Sequence, residues 1–259
     1  MIEFKNVSFT YPERETAVFT NLSIKLPAGV VSLIGQNATG KSTLLLLSGG
    51  RLIPDSGDVI IDSHNTRDFA SEQDRAEYAA FVYQNMEFET DEPVGALLTY
   101  VYENGFHAEK DLTFIDELVE VFELERFMDR KTQELSKGEL QRIILAFSIL
   151  CGSRFIMMDE PIFSLEDYQK KRALEYMTSY ARKKKIGLYF SLHELDLSEK
   201  YSDHIMLFRK NAPPEIGLTK ELFSREIIET AYEVPFDMLK GRETLYRDGL
   251  ISIEEKRHQ

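Results

Sequence analysis

Cysteine is almost absent: Cys151 is the one cysteine among 259 residues. An internal disulfide is excluded, and the usage fits a reducing compartment. Cys151 follows the apolar run Ala146 to Leu150 and is expected to be a buried, inert thiol. No His/Cys cluster has the spacing of a zinc site. No stretch approaches the roughly 20 consecutive apolar residues of a membrane span. Met1 to Asn6 does not read as a signal peptide. Positive charge is also scarce, with 31 Lys and Arg against 44 Asp and Glu and a formal net charge of -13. Proteins that grip a nucleic-acid backbone carry a basic stripe. None is visible, so nucleic acid is not an expected partner, and direct adhesion to anionic lipid is disfavoured for the same reason. The short cluster Arg182-Lys183-Lys184-Lys185 suits the end of a predicted helix, where cations favour the dipole. At 43% apolar residues the composition is globular, and the chain is expected to be cytoplasmic.

What the chain does have is a glycine-bounded loop, Gly35-Gln36-Asn37-Ala38-Thr39-Gly40-Lys41-Ser42-Thr43. It follows the apolar run Val30 to Ile34 and precedes Leu44 to Leu47. Strand, loop and helix with G-x-x-x-x-G-K-S/T spacing make a phosphate-binding loop. Gly35 and Gly40 let the backbone turn so that successive N–H groups face phosphate oxygens. A helix starting near Lys41 adds its N-terminal dipole. Lys41 would reach the β and γ phosphates, and Ser42 would offer its hydroxyl to Mg²⁺.

The rest of the pattern predicts an α/β chain. Residues 2–11 and 17–26 alternate apolar and polar, and 57–62 forms another strand, so the opening reads as an antiparallel sheet beside a nucleotide-binding core. Residues 93–150 carry helix-spaced apolar positions (94–102, 111–122, 138–150) and read as a helical insertion between core strands. Apolar runs at 154–158 and 186–192 read as parallel strands buried on both faces, joined by a helix over 167–185. A last core strand spans 203–208. Asn211-Ala212-Pro213-Pro214 marks a boundary between a 1–210 domain and a small 211–259 appendage. In the appendage a helix is expected over 219–232 and a β-hairpin or small appended sheet over 236–253.

Phe155-Ile156-Met157-Met158-Asp159-Glu160 ends an apolar strand in two carboxylates. Such a strand delivers them to its C-terminal end, where ligands sit in open α/β sheets. Asp159 suits the Mg²⁺ shell. Glu160 suits a general base that polarises an attacking water.

Together these residues resemble the ATPase subunits of ATP-binding cassette (ABC) transporters, a P-loop fold with a mixed core sheet, an antiparallel β subdomain and a helical insertion. The resemblance runs from Tyr11 to His193. Gly35 to Thr43 is similar to Walker A, and Asp159 and Glu160 to Walker B and its catalytic glutamate. Gln84 resembles the Q-loop glutamine, Leu135-Ser136-Lys137-Gly138-Glu139 the signature, Ser164-Leu165-Glu166 the D-loop and His193 the switch histidine. The resemblance implies that Tyr11 stacks on adenine, that Gln84 ligates Mg²⁺ and orients water, and that His193 contacts the γ-phosphate. Ser136, Gly138 and Glu139 would meet ATP held on a second ATPase subunit, while also forming an ordinary capping box. ATP and Mg²⁺ are the implied cofactors.

The implied partners are a transmembrane permease, a second copy of the ATPase, and a substrate-binding protein acting through the permease. The chain would then lie peripherally on the inner face of the cell membrane. Gly217 to Phe223 followed by Ile227 to Val234 resembles importers of iron-siderophore, haem and cobalamin. A soluble assembly ATPase of the iron–sulfur type and an exporter subunit are the alternatives. Departures from the family pattern are Ala38 for a glycine, Lys137 for the first signature glycine, Glu139 for glutamine and Glu166 for the D-loop aspartate. Ala38 is expected to be tolerated; Lys137 and Glu166 bear on turnover more than on binding.

Overall fold

A computed structural model describes residues 1–111 and 113–239. Its strands are β1 (Ile2–Phe9), β2 (Phe19–Leu26), β3 (Val30–Gly35), β4 (Ser56–Ile61), β5 (His64–Asn65), β6 (Ala79–Val82), β7 (Phe155–Asp159), β8 (Gly187–Ser191), β9 (His204–Phe208) and β10 (Glu215–Leu218). Its helices are α1 (Lys41–Ser48), α2 (Glu72–Tyr78), α3 (Val94–Glu103), α4 (Thr113–Phe122), α5 (Lys137–Leu150), α6 (Asp167–Lys184), α7 (Leu195–Tyr201), α8 (Thr219–Leu222) and α9 (Arg225–Tyr232).

Period-two alternation assigns side chains to layers. In β1, Ile2, Phe4, Val7 and Phe9 are buried. The alternation slips at Asn6, where φ is 50° and the register with β2 shifts, as at a bulge. The first sheet has the order β2-β1-β4-β5 and is antiparallel. The second has the order β10-β9-β3-β8-β7-β6, parallel except for β10. In β7, Phe155 and Met157 face the first sheet, while Ile156 and Met158 face the helical side.

Helix α1 lies between the two sheets. Leu44, Leu45 and Leu47 are each 0% exposed and pack with Phe4 and Val59 on one side and Leu33 and Met157 on the other. A run of four leucines spreads round more than one side of a helix, which favours a position covered from two directions. On the opposite face of the large sheet, α3, α4, α5 and α6 share a core that includes Leu98, Leu118, Ile143 and Leu174. The helical insertion thus has its own apolar contacts and joins the sheet between β6 and β7.

The expected elements are found with three corrections. The helix expected over 219–232 is two, α8 and α9, because Ser224 caps a new start: its Oγ accepts from Ile227 N–H at 3.3 Å. Residues 236–239 are helical, following Pro235, with Leu239 buried against the core, so no hairpin begins there. The remainder of that expected hairpin lies outside the described residues. Cys151 is half-buried at the end of α5 and not fully buried, although burial still pushes its thiol pKa up. Helix α2 also forms, started by a capping box between Ser71 and Asp74.

Candidate active site

Strands β3, β8, β7 and β6 are adjacent and parallel, so their carboxyl ends share one edge. That edge carries Gly35 at the end of β3, Ser191 at the end of β8 with His193 just beyond it, Asp159 at the end of β7 with Glu160 just beyond it, and Gln84 just beyond β6. Asp159 and Ser191 are directly paired in register. This is the crevice where open α/β sheets hold ligands.

The loop after β3 has the shape its glycines permit. Gly35 has φ 142°, and a Cβ there would lie 2.4 Å from the Phe208 carbonyl oxygen. Gly40 begins α1 with φ 103°, and a Cβ would meet the Phe19 ring at 2.9 Å. Neither position has room for a side chain. Ala38 adopts φ 60°, which explains why glycine suits it, and it remains exposed and within the left-handed region an alanine can reach. Thr39 Oγ1 closes the turn by donating to Gln36 O at 2.8 Å. Asn37 and Ser42 are exposed at the loop and at the first turn of α1.

Lys41 is buried, 8% exposed, and its Nζ donates to Gly35 O and Gln36 O at 2.8 Å each. Burial pulls its pKa down, opposed by the charges of Glu160 and then Asp159. The ammonium therefore sits within the field of both carboxylates. A desolvated cation beside backbone N–H groups at a helix start is a strong anion receptor.

Glu160 is the centre of a second network. Its Oε1 lies 2.7 Å from His193 Nε2, and its Oε2 accepts from Gln84 Nε2 at 2.9 Å. Its backbone is left-handed, φ 50°. That costly conformation is pinned by Ser191 Oγ, which accepts from Glu160 N–H at 3.0 Å and donates to Asp159 Oδ1 at 2.5 Å. Ser191 thus orients both carboxylate residues, a role hidden in the sequence behind an apolar strand. Ser191→Ala leaves a buried carboxylate and an N–H short of a partner. The expected loss is about 1–3 kcal/mol of stability, read by thermal unfolding; an unchanged melting temperature would contradict the assignment.

The Glu160 carboxylate is the largest cause raising the His193 pKa above its ordinary value, against opposing desolvation. A raised folded-state pKa stabilises the protonated form. The pair's contribution is therefore fully present below about pH 6.5, the unperturbed imidazole value, and is lost as pH rises through the folded-state pKa. In melts of the nucleotide-free protein the stability gap between wild type and Glu160→Gln should narrow as pH is raised through that range. A gap independent of pH would remove the charged pair.

Residues 19–163 match the family described as "ABC transporter". The chain belongs to the ABC transporter family. It is 26% identical over 245 residues to the petrobactin import ATP-binding protein FatE of Bacillus anthracis, covering 93% of this chain and 97% of that protein. It is 27% identical over 263 residues to the energy-coupling factor transporter ATP-binding protein EcfA1 of Streptococcus thermophilus, covering 98% and 93%. The phosphonates import ATP-binding protein PhnC of Treponema denticola is 28% identical over 80% of this chain and 85% of its own length. Among solved structures, the post-hydrolysis dimer of the cassette MJ0796 bound to ADP and Pi superimposes with TM-score 0.72 at 20% identity, covering 85% of this chain and 99% of that one. An inward-facing putative metal-chelate type ABC transporter gives 0.69 at 20% identity, covering 90% and 89%. This chain is thus an ABC ATPase with the cassette fold.

Tyr11 lies just past the end of β1 and not within it; its hydroxyl is 3.1 Å from Thr43 Oγ1 and its ring packs edge-on to Phe9 at 5.0 Å. It therefore stands beside the start of α1. The signature is elsewhere. Ser136 caps α5, its Oγ accepting from Glu139 N–H at 3.4 Å while Ser136 N–H donates to Glu139 Oε2 at 2.7 Å. Gly138 packs so closely that a Cβ would lie 2.7 Å from Ser164 O, tying signature to D-loop. Lys137 pairs with Glu87 at 3.1 Å. Among the described residues, no hydrogen bond or ion pair joins 135–139 to the phosphate loop or Glu160. Glu166 N–H bonds Gln169 Oε1 at 3.2 Å at the start of α6.

The donor set fits Mg²⁺, a hard cation that takes oxygen ligands and keeps waters and phosphates in its shell. Ser42 offers a hydroxyl, Asp159 a carboxylate and Gln84 an amide oxygen at one sheet edge. Among the described residues no group of three or more His, Cys, Asp or Glu converges, so a cage made by protein alone is not formed there. No helix among them is long and apolar enough to cross a membrane.

Proposed function

We propose that this ABC ATPase powers import of a metal chelate through a separate permease, as one of two identical ATPase subunits on the inner face of the membrane. The loop 35–43 cradles the triphosphate, with Lys41 on the β and γ phosphates and Tyr11 against the adenine. Ser42, Asp159 and Gln84 would hold Mg²⁺, which neutralises phosphate charge and orients the γ-phosphate when bound. Glu160 accepts a proton from the attacking water. Gln84 and His193, which bracket that carboxylate from its two oxygens, orient the water and contact the γ-phosphate. Ser136, Gly138 and Glu139 act on ATP held by the second copy; in their own chain Ser136 and Glu139 bond each other at the start of α5. ATP then holds the dimer closed, and hydrolysis releases it, a ligand-driven population shift.

The observation that carries the hydrolytic reading is the Glu160 carboxylate held between His193 and Gln84 beside a buried lysine. The metal-chelate reading is supported by similarity to an importer of that class. The petrobactin importer is matched over 97% of its length and 93% of this chain. Residues 1–210 would form the ATPase domain and 211–259 an appendage seated on it. A tagged chain purified from detergent-solubilised membranes of its own cells tests the reading. A polytopic permease should co-purify, and deleting the gene should abolish uptake of a metal chelate. Co-purification with soluble assembly factors alone would overturn it in favour of the assembly ATPase.

A further inference from the structure

The phosphate loop is tied to helix α9. Gly35 N–H donates to Tyr232 Oη at 2.9 Å, across 197 residues of sequence. Gln36 Nε2 donates to the Ala231 carbonyl at 3.3 Å. Glu233, at the end of α9, pairs with Lys210 at 2.9 Å, and Lys210 first and the Gln36 amide second hold its carboxyl below the usual range. Helix α9 is itself well seated: Ile228 and Ala231 are 0% and 2% exposed and pack with Ile34, Ile205 and Leu207. Two consecutive loop residues are thus anchored to a packed element.

These ties answer a conflict at Lys41. An ammonium has three N–H donors, and two of them hold Gly35 O and Gln36 O. Reaching a triphosphate through β and γ oxygens takes donors away from those carbonyls. The turn then gives up the two Lys41 contacts and keeps the Thr39 Oγ1 bond to Gln36 O at the moment it must hold its shape. The contacts to α9 use the Gly35 N–H and the Gln36 side chain, for which Lys41 does not compete.

We propose that Tyr232 is a positioning residue for the phosphate loop, its hydroxyl fixing Gly35 while Lys41 turns from the loop carbonyls to the nucleotide. The inference rests on reading residues 35–43 as the ATP cradle. Tyr232 acts through the backbone and touches no reacting atom, so it governs ATP affinity and not the chemical step.

Tyr232→Phe removes the hydroxyl and keeps the ring against its apolar neighbours. Its KM for ATP and its dissociation constant for ATP–Mg²⁺ should rise about tenfold, the size of one lost hydrogen bond. At saturating ATP, kcat should stay within about twofold, since only binding is impaired. Amide exchange at Gly35, followed by NMR, should quicken while the amides of Val31 and Leu33 in β3 keep wild-type protection. Wild-type affinity and wild-type Gly35 exchange in the variant would overturn the inference, as would a fall in kcat at unchanged KM. If wild type itself bound no ATP–Mg²⁺, the cradle reading would fail first, and that outcome is distinct because it needs no variant.

Discussion

Glu160→Gln is expected to lower the ATP turnover number by about 10²–10⁴-fold, the usual contribution of a positioned general base. The amide is nearly isosteric and can still hydrogen-bond to Gln84 and His193, so the fold and the nucleotide site should survive. What it lacks is a carboxylate able to take the proton of the attacking water. Two further consequences separate a lost base from a damaged site. First, ATP–Mg²⁺ should bind with close to wild-type affinity, since Glu160 is not part of the cradle. Second, the variant should accumulate as an ATP-bound dimer visible by light scattering, because hydrolysis is the step that opens it. The variant also removes the charge that raises the His193 pKa, so that imidazole should titrate nearer its ordinary value. Steady-state phosphate release is the deciding assay. Full turnover in the variant would take Glu160 out of the base role and leave it as a spacer between Gln84 and His193.

Lys41→Ala acts one step earlier, on binding itself. Charge-assisted hydrogen bonds contribute about 1.5–3 kcal/mol. Losing those to the phosphates weakens ATP by about 10- to 150-fold at 1.4 kcal/mol per decade. The real loss should lie at the upper end. Lys41 also supports the loop through Gly35 O and Gln36 O, so the variant cradle is less well formed before nucleotide arrives. Burial already disfavours the Lys41 cation, and a bound triphosphate offsets that cost. The charge is therefore placed for the ligand more than for the apo fold. Titration calorimetry reads the effect directly, and an unchanged dissociation constant would contradict the role. The same experiment on Tyr11→Ala provides contrast, because stacking on one base is a smaller and nonionic contribution.

Local rules made the core of the site legible. Gly35 and Gly40 mark backbone that no side chain permits, and an apolar run ending in Asp159-Glu160 places carboxylates at a strand end. The neighbouring strand, ending at Ser191 and followed by His193, brings the histidine to the same edge. What the sequence could not show depends on pairing between distant strands and helices. Ser191 reads as part of an apolar run until register sets it beside Asp159. Tyr232 reads as one face of an amphipathic helix until β10 returns the chain past β9 and α9 meets the phosphate loop. The split of 219–232 into α8 and α9 turned on one serine cap, which competes with a continuous apolar period. The expected hairpin failed at its first residues because Pro235 favours a helical start. Ala38 behaves as its place in the loop requires, paying a small backbone cost in place of glycine. Lys137 is engaged by Glu87, an ion pair that no spacing rule predicts and that joins the signature to the segment after Gln84.

The central claim is that residues 35–43 grip a triphosphate. Calorimetric titration of the purified chain with ATP–Mg²⁺, alongside its melting curve, tests it most directly. Saturable binding heat is predicted, and at about 100 times the dissociation constant the native state should gain about 2.7 kcal/mol, a rise of about 5–10 °C for a chain of this size. No heat and no shift, in protein shown to be folded, would contradict the account at its base.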